Sequence, residues 1–169
     1  GEVWVPGEVN TSTRPGWFYH EYEDSRVKTL PDLMNTYHHS IGRNGTLLLN
    51  FPIDKRGLIH ENDEKAVKAL AKAVKEAYSV NLAQNKKATV TNTRENALMF
   101  NASKALDGDK NTYWATDDKV KQASIEFTFK KPTAINRLLL QEYIKLGQRV
   151  KAFSVEAKVD GQWKIIANE

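Results

Sequence analysis

TLLLNF, residues 46–51, is a short unbroken apolar run closed by Pro52. A half-buried strand would alternate apolar and polar side chains, whereas a run without alternation suits a strand covered on both faces, as in a parallel sheet. The flanking segments are helical. Upstream, TLPDLMNTYHHSIG (29–42) offers Thr29 as N-cap with Asp32 three residues on, and places Leu30, Leu33, Met34, Tyr37 and Ile41 at helical spacing. Gly42 is expected to close that helix. Downstream, HENDEKAVKALAKAVKEAYS (60–79) aligns Ala66, Val67, Leu70, Ala73, Val74 and Ala77 on one stripe with lysines outside it.

Helix, buried strand, helix is the order of a βα-repeat architecture, and about 80 residues cannot close a βα barrel of roughly 250. Residues 1–79 therefore read as the C-terminal portion of a (β/α)8-like barrel. From Val80 the period changes to two. Ile125, Phe127 and Phe129 alternate with polar residues, as do Phe153, Val155, Ala157 and Val159. Further β-prone runs are ATVT (88–91), INRLLLQEY (135–143) and QWKII (162–166), punctuated by DGD, KKP and DGQ turns. Residues 80–169 thus read as a β-sandwich, and the whole chain as α/β plus all-β, with both parts incomplete.

Composition narrows the function classes. With no cysteine among 169 residues there is no disulfide framework, thiolate metal site or cysteine nucleophile. No apolar run approaches the roughly 20 residues of a membrane-spanning helix. The net charge of +4 is uneven, with 10 Lys+Arg against 11 Asp+Glu in residues 1–79 and 15 against 10 beyond. The lysines of the basic half are scattered and match no nucleic-acid-binding motif, so no nucleic-acid partner is expected. His38 and His39 are adjacent on a helix and point in different directions, which excludes a shared metal.

The segment VWVPGEVNTSTRPGWFYH (3–20) crowds Trp4, Trp17, Phe18 and Tyr19 around one carboxyl, Glu8. A carboxyl pressed against aromatic faces loses hydration and keeps its proton to higher pH, the condition a general acid needs, and aromatic rings supply the apolar half of a sugar site. The alternative is a solvated loop acid with the rings packed beneath.

The succession W-x-P-x-E (Trp4, Pro6, Glu8), RPGWFYH (Arg14 to His20) and SIGRNGTLLLNFPIDKRGLIHEND (Ser40 to Asp63) resembles the C-terminal third of the catalytic domain of glycoside hydrolase family 29 α-L-fucosidases, especially the subfamily preferring α-1,3 or α-1,4 linkages. The resemblance implies a retaining glycosidase that removes terminal fucose from fucosylated oligosaccharides, with Glu8 as general acid/base and Trp17 and Arg14 as candidate substrate contacts. It also implies an aspartate nucleophile upstream of Gly1, so the 169-residue chain alone is expected to hydrolyse nothing and to associate with the missing barrel portion or with itself. No cofactor is expected for catalysis, and the parent protein is expected to be extracellular or periplasmic.

In the second part, Asn81, Ala83, Ala105, Asp107, Gly108, Thr112 and Trp114 resemble the opening of a discoidin-like, or coagulation factor 5/8 type C, sandwich. That likeness implies a structural calcium ion held by Asp107, Asp109 and Thr112; a metal-free Asx turn is the other reading of the same residues. Trp114 is expected in the core, while Tyr113, Tyr143, Glu142, Gln148 and Arg149 are candidates for contact with a glycan or with the barrel. The rival to the enzyme reading is a non-catalytic carbohydrate-binding sandwich carrying a barrel remnant.

Overall fold

The structure, a computed structural model, describes residues 5–168; Trp4, expected beside Glu8, lies outside them. By its internal contacts the chain divides into two compact units, Val5–Asn81 and the residues from Leu82 onward.

The first unit runs β1 (Glu8–Ser12), α1 (Leu30–His39), β2 (Thr46–Asn50), α2 (Glu61–Ala77). The two strands are parallel, in register from Glu8 opposite Thr46 to Ser12 opposite Asn50. The Thr46 N–H donating to the Gly7 carbonyl at 2.8 Å and the Thr13 N–H donating to the Asn50 carbonyl at 3.0 Å carry the pairing past both ends. β1 corrects the expectation that Glu8 lies in a long loop. Val9 and Thr11 turn inward while Glu8 and Asn10 face out, but only Val9 is apolar, so hydropathy does not reveal the period. In β2, Leu47 and Leu49 are half-buried and Leu48 is 51% exposed within this chain, so these residues by themselves cover one face.

α1 begins as expected. The Asp32 carboxylate accepts the Thr29 backbone N–H at 3.1 Å and the Thr29 hydroxyl at 2.6 Å, and Pro31 sits in the first turn, where its missing N–H costs nothing. Gly42 does not end it. The helix stops at His39, Ser40 is the C-cap, a 3-10 turn spans Ile41–Arg43, and Asn44 takes the left-handed conformation at φ 63°. Gly45 follows for a different reason: a Cβ there would lie 3.0 Å from the Gly7 carbonyl oxygen and 3.1 Å from that of Ser40. Only glycine lets β2 start so close to both.

α2 is capped by the His60 ring, whose Nδ1 accepts the Asn62 N–H at 3.2 Å, and Glu61, Asp63 and Glu64 oppose the helix dipole in its first turn. Leu70 is buried on its apolar stripe, and Lys65, Lys68, Lys72 and Lys75 are exposed. The two helices pack together, with Leu33 of α1 fully buried and the Tyr37 and Tyr78 rings 6.3 Å apart.

The second unit holds two antiparallel pairs, β3 (Ala88–Val90) with β4 (Ile125–Phe127) and β5 (Ser154–Val159) with β6 (Gln162–Asn168). The alternation read from the sequence is present in Ile125, Phe127, Phe129, Phe153, Val155 and Ala157, which are half-buried between exposed neighbours, whereas Val159, read as its last member, is exposed at the turn. Asp160 and Gly161, at φ 52° and 80°, make the two-residue turn that twists β5 into β6. INRLLLQEY (135–143), expected as a strand, joins no ladder among the described residues, and Leu138, Leu139 and Leu140 are exposed. An extended segment becomes a strand only where a neighbour takes its backbone groups, and local pattern does not name that neighbour. Trp114, expected in the core, is half-buried; its Nε1 donates to the Asn92 carbonyl at 2.9 Å, and Asn92 exchanges two bonds with Asp117.

Candidate active-site edge

In parallel βα architecture, ligands gather beyond the C-terminal ends of the strands. Here those ends are Ser12 and Asn50, and the loop leaving β1 carries Arg14, Trp17, Phe18, Tyr19 and His20.

Arg14 anchors that loop. Its side chain is fully buried. Nε and Nη2 donate to Asp63 Oδ2 at 3.0 and 2.6 Å, while Nη1 donates to Asp24 Oδ1 at 2.8 Å and to the His20 carbonyl at 3.2 Å. The guanidinium carbon lies 4.8 Å from the centre of the Tyr19 ring. Asp63, 0% exposed, also accepts the Thr13 hydroxyl, which ties the first turn of α2 to the end of β1. Asp24 receives the Tyr19 hydroxyl at 3.3 Å and faces His60 Nε2 at 3.4 Å. The structure thus spends the Arg14 guanidinium on two carboxylates and a carbonyl; expected as a substrate contact, it is a buried anchor. Sequence reading missed both partners. Asp63 looks like any acidic residue in a helix's first turn.

These contacts shift the titrations. Burial pulls the Arg14 pKa down, but the bonds to Asp63 and Asp24 outweigh it and the net direction is up. Burial pushes the Asp24 carboxyl up, yet the Arg14 bond and the nearby charges hold it below the usual carboxylate value. Asp54, bonded by Arg56, and Asp32, bonded by Thr29, are also depressed. A carboxylate with a folded-state pKa below its unfolded one contributes stability above the unfolded value, near 3.9 for Asp, and loses it as pH falls through the folded value. The thermal midpoint is therefore expected to hold from pH 7 to about 5 and to fall steeply below about 4. A scan showing its main loss above pH 5 would contradict these assignments.

Asn50 pins the middle of the loop. Its Nδ2 donates to the Trp17 carbonyl at 2.9 Å and to Ser12 Oγ at 3.1 Å. Trp17 itself is 50% exposed. With Asn10, Thr11, Ser12, Arg14, Pro15, Arg26 and Lys28 it lines an open depression of about 390 Å³, where Lys28 Nζ donates to Thr11 Oγ1 and the Ser12 carbonyl.

Glu8 does not join this group. It opens β1, four residues before the strand's C-terminal end, which at about 3.3 Å per residue puts it roughly 13 Å from the edge where Trp17 and Asn50 lie. It is exposed, and Trp17 and Phe18, the rings expected to shelter it, are themselves exposed. Glu8 shares the exposed face of β1 with Asn10, two residues on, and Asn10 lines the depression together with Trp17.

In the second unit Asp107, Asp109 and Thr112 do converge, as an Asx turn. Asp107 Oδ1 accepts the Asp109 N–H at 2.9 Å, its Oδ2 accepts the Thr112 hydroxyl at 2.8 Å, and Gly108 takes φ 81°. The Asp109 N–H and then the Thr112 hydroxyl hold the Asp107 carboxyl low. A calcium ion takes six to eight oxygens. Their side chains offer two carboxylates and a hydroxyl, with Lys104 Nζ 3.5 Å from Asp107, and backbone carbonyls would have to complete the shell of an ion held here. Among the described residues no group of three acidic, histidine or cysteine side chains is placed to hold a metal ion. Tyr113 and Tyr143 stack at 4.6 Å and are half-buried, and Glu142 accepts the backbone N–H groups of Arg149 and Val150, which closes its own loop.

Fold and site together define a class: a parallel βα unit with an aromatic loop pinned at its strand ends, joined in sequence to an antiparallel β module. Residues 85–169 match the F5/8 type C domain, and the chain belongs to that family. Over its length it is related to glycoside hydrolase family 29 α-L-fucosidases. It is 31% identical over 171 residues to alpha-L-fucosidase 1 of Arabidopsis thaliana, covering 99% of this chain and 33% of that protein. A Bacteroides thetaiotaomicron crystal structure provisionally assigned as an α-L-fucosidase superposes with a TM-score of 0.86 at 40% identity, over 98% of this chain and 36% of that one. A Ruminococcus gnavus family 29 fucosidase in complex with fucose gives 0.85 at 27%, over 98% and 33%. The chain spans about a third of the length of these relatives. No helix among the described residues is long and apolar enough to cross a membrane.

Proposed function

We propose that this chain works as the C-terminal part of a retaining exo-α-L-fucosidase, extracellular or periplasmic, that removes terminal α-1,3- or α-1,4-linked fucose from oligosaccharides or glycoconjugates. The observation that carries the reading is Trp17: a half-exposed indole on a loop whose backbone is fixed by Asn50 and Arg14, at the edge where βα enzymes hold their ligands. The likeness to fucosidases along nearly the whole chain supports it.

In this reading the chain's own residues bind and position. Trp17 presents an apolar face to the sugar ring. Asn50 holds that indole's backbone, and the Arg14–Asp63–Asp24 cluster holds the loop. Retention needs two carboxyl groups about 5 to 5.5 Å apart, one attacking the anomeric carbon and one protonating the leaving oxygen. Asp63 and Asp24 are bound to Arg14, so neither serves. Glu8 is proposed as the protonating carboxyl, and the nucleophile is proposed to come from the rest of the longer protein.

The test is turnover of p-nitrophenyl α-L-fucoside by a protein of the relatives' length that carries this sequence, with the anomer of the first-released fucose read by NMR. The α anomer is expected, while the 169-residue chain alone leaves the substrate intact. Release of the β anomer, or no release by the longer protein, would defeat the proposal.

A further inference from the structure

Glu23 is a buried carboxylate that its surroundings leave without a donor. It is 5% exposed, and its Oε2, closed off from solvent, has no hydrogen-bond partner among the described residues. Glu21 and Tyr22 before it are exposed. The backbone turns Glu23 inward: its N–H donates to the His20 carbonyl at 2.9 Å, and Arg14 Nη1 holds that same carbonyl and Asp24. The carboxylate ends against Gly16, where a Cβ would lie 3.6 Å from each of its oxygens, immediately before Trp17. An ionised carboxylate taken out of water without a donor is strongly unfavourable, so a fold that keeps one calls for a partner.

The cations bound to this part of the chain are already engaged. Arg14 is held by Asp63 and Asp24, Lys28 by Thr11 and Ser12, and Lys55 by Glu21, while Arg26 lines the depression beside Trp17. An acidic partner would add a like charge beside Glu23, and an apolar one would leave the carboxylate as it is. A lysine or arginine supplies both a donor and the opposite charge. The chain spans about a third of its relatives' length, which leaves the larger part of such a protein to provide one.

We infer that Glu23 is a docking point for a lysine or arginine from the part of the longer protein outside this chain, and that the contact fixes the loop at Gly16 and Trp17. The inference rests on the proposed function in one respect, that the chain works inside a longer protein.

The experiment places Glu23→Gln, which is nearly isosteric, in two settings. In the 169-residue chain it removes a charge that nothing pairs, so the thermal midpoint is expected to stay or to rise. In the longer protein it strands the docked cation, so the midpoint is expected to fall by about 3 °C or more. KM for p-nitrophenyl α-L-fucoside is expected to rise about threefold or more there, as the Trp17 loop loses its anchor. The 169-residue variant also reports that the substitution suits the local fold. If the midpoint falls alike in both settings, the donor is inside this chain or is a trapped water, and the docking point is overturned. It is equally overturned if the longer protein loses nothing, or if its midpoint falls with KM unchanged, because the contact would then not hold the loop. Should the unchanged longer protein turn over no fucoside, the fucosidase reading falls while the two midpoints still decide this one.

Discussion

Arg14→Met is expected to destabilise the first unit by about 3–5 kcal/mol, read as a lower urea midpoint at unchanged slope. The side chain is fully buried and Asp63 is 0% exposed, so the substitution leaves a carboxylate out of water with no compensating charge. Asp24 loses its closest cation at the same time. The contrast with Arg56 fixes the interpretation. Arg56 also donates two bonds to one carboxylate, Asp54, and reaches Glu61, but its side chain is 53% exposed; pairs of that kind contribute about 0–1 kcal/mol. A double variant, Arg14→Met with Asp63→Leu, should recover much of the loss because it removes the orphaned charge along with its partner. A single variant within about 1 kcal/mol of the parent would mean that water reaches the cluster.

That cluster also shows where the sequence stops being informative. The capping box of α1 was legible because Thr29 and Asp32 are three residues apart, and the α2 stripe because Leu70 and its neighbours repeat at 3.6. The alternation around Ile125 and Val155 was legible for the same reason. Arg14 and Asp63 are 49 residues apart, and no local period connects them. β1 escaped because its inward side chains beside Val9 are polar, and Asn50 gave no sign that its amide would hold the Trp17 carbonyl. Glu8 was read from its neighbours in sequence, and the strand it opens, with its side chain on the face of Asn10, had no hydropathy signature to reveal it.

Trp17 and Glu8, nine positions apart, are expected to fail in different ways. In the longer protein Trp17→Ala is expected to lower kcat/KM for an α-L-fucoside by at least about tenfold, since a tryptophan at the centre of a binding site commonly carries about 2 kcal/mol or more. Glu8→Gln is expected to lower it by about a hundredfold or more on natural oligosaccharides, because a positioned general acid commonly contributes about 10²–10⁴-fold. Substrates with poor leaving groups sharpen the comparison: losing a general acid hurts them far more than activated aryl fucosides, whereas losing a binding surface hurts both alike. Asn50→Ala should cost less than Trp17→Ala, as it keeps the indole but frees the Trp17 carbonyl and Ser12 Oγ, and small misplacement of a binding group is costly. A Glu8→Gln variant that keeps the parent rate on natural oligosaccharides would remove this carboxyl as the proton donor.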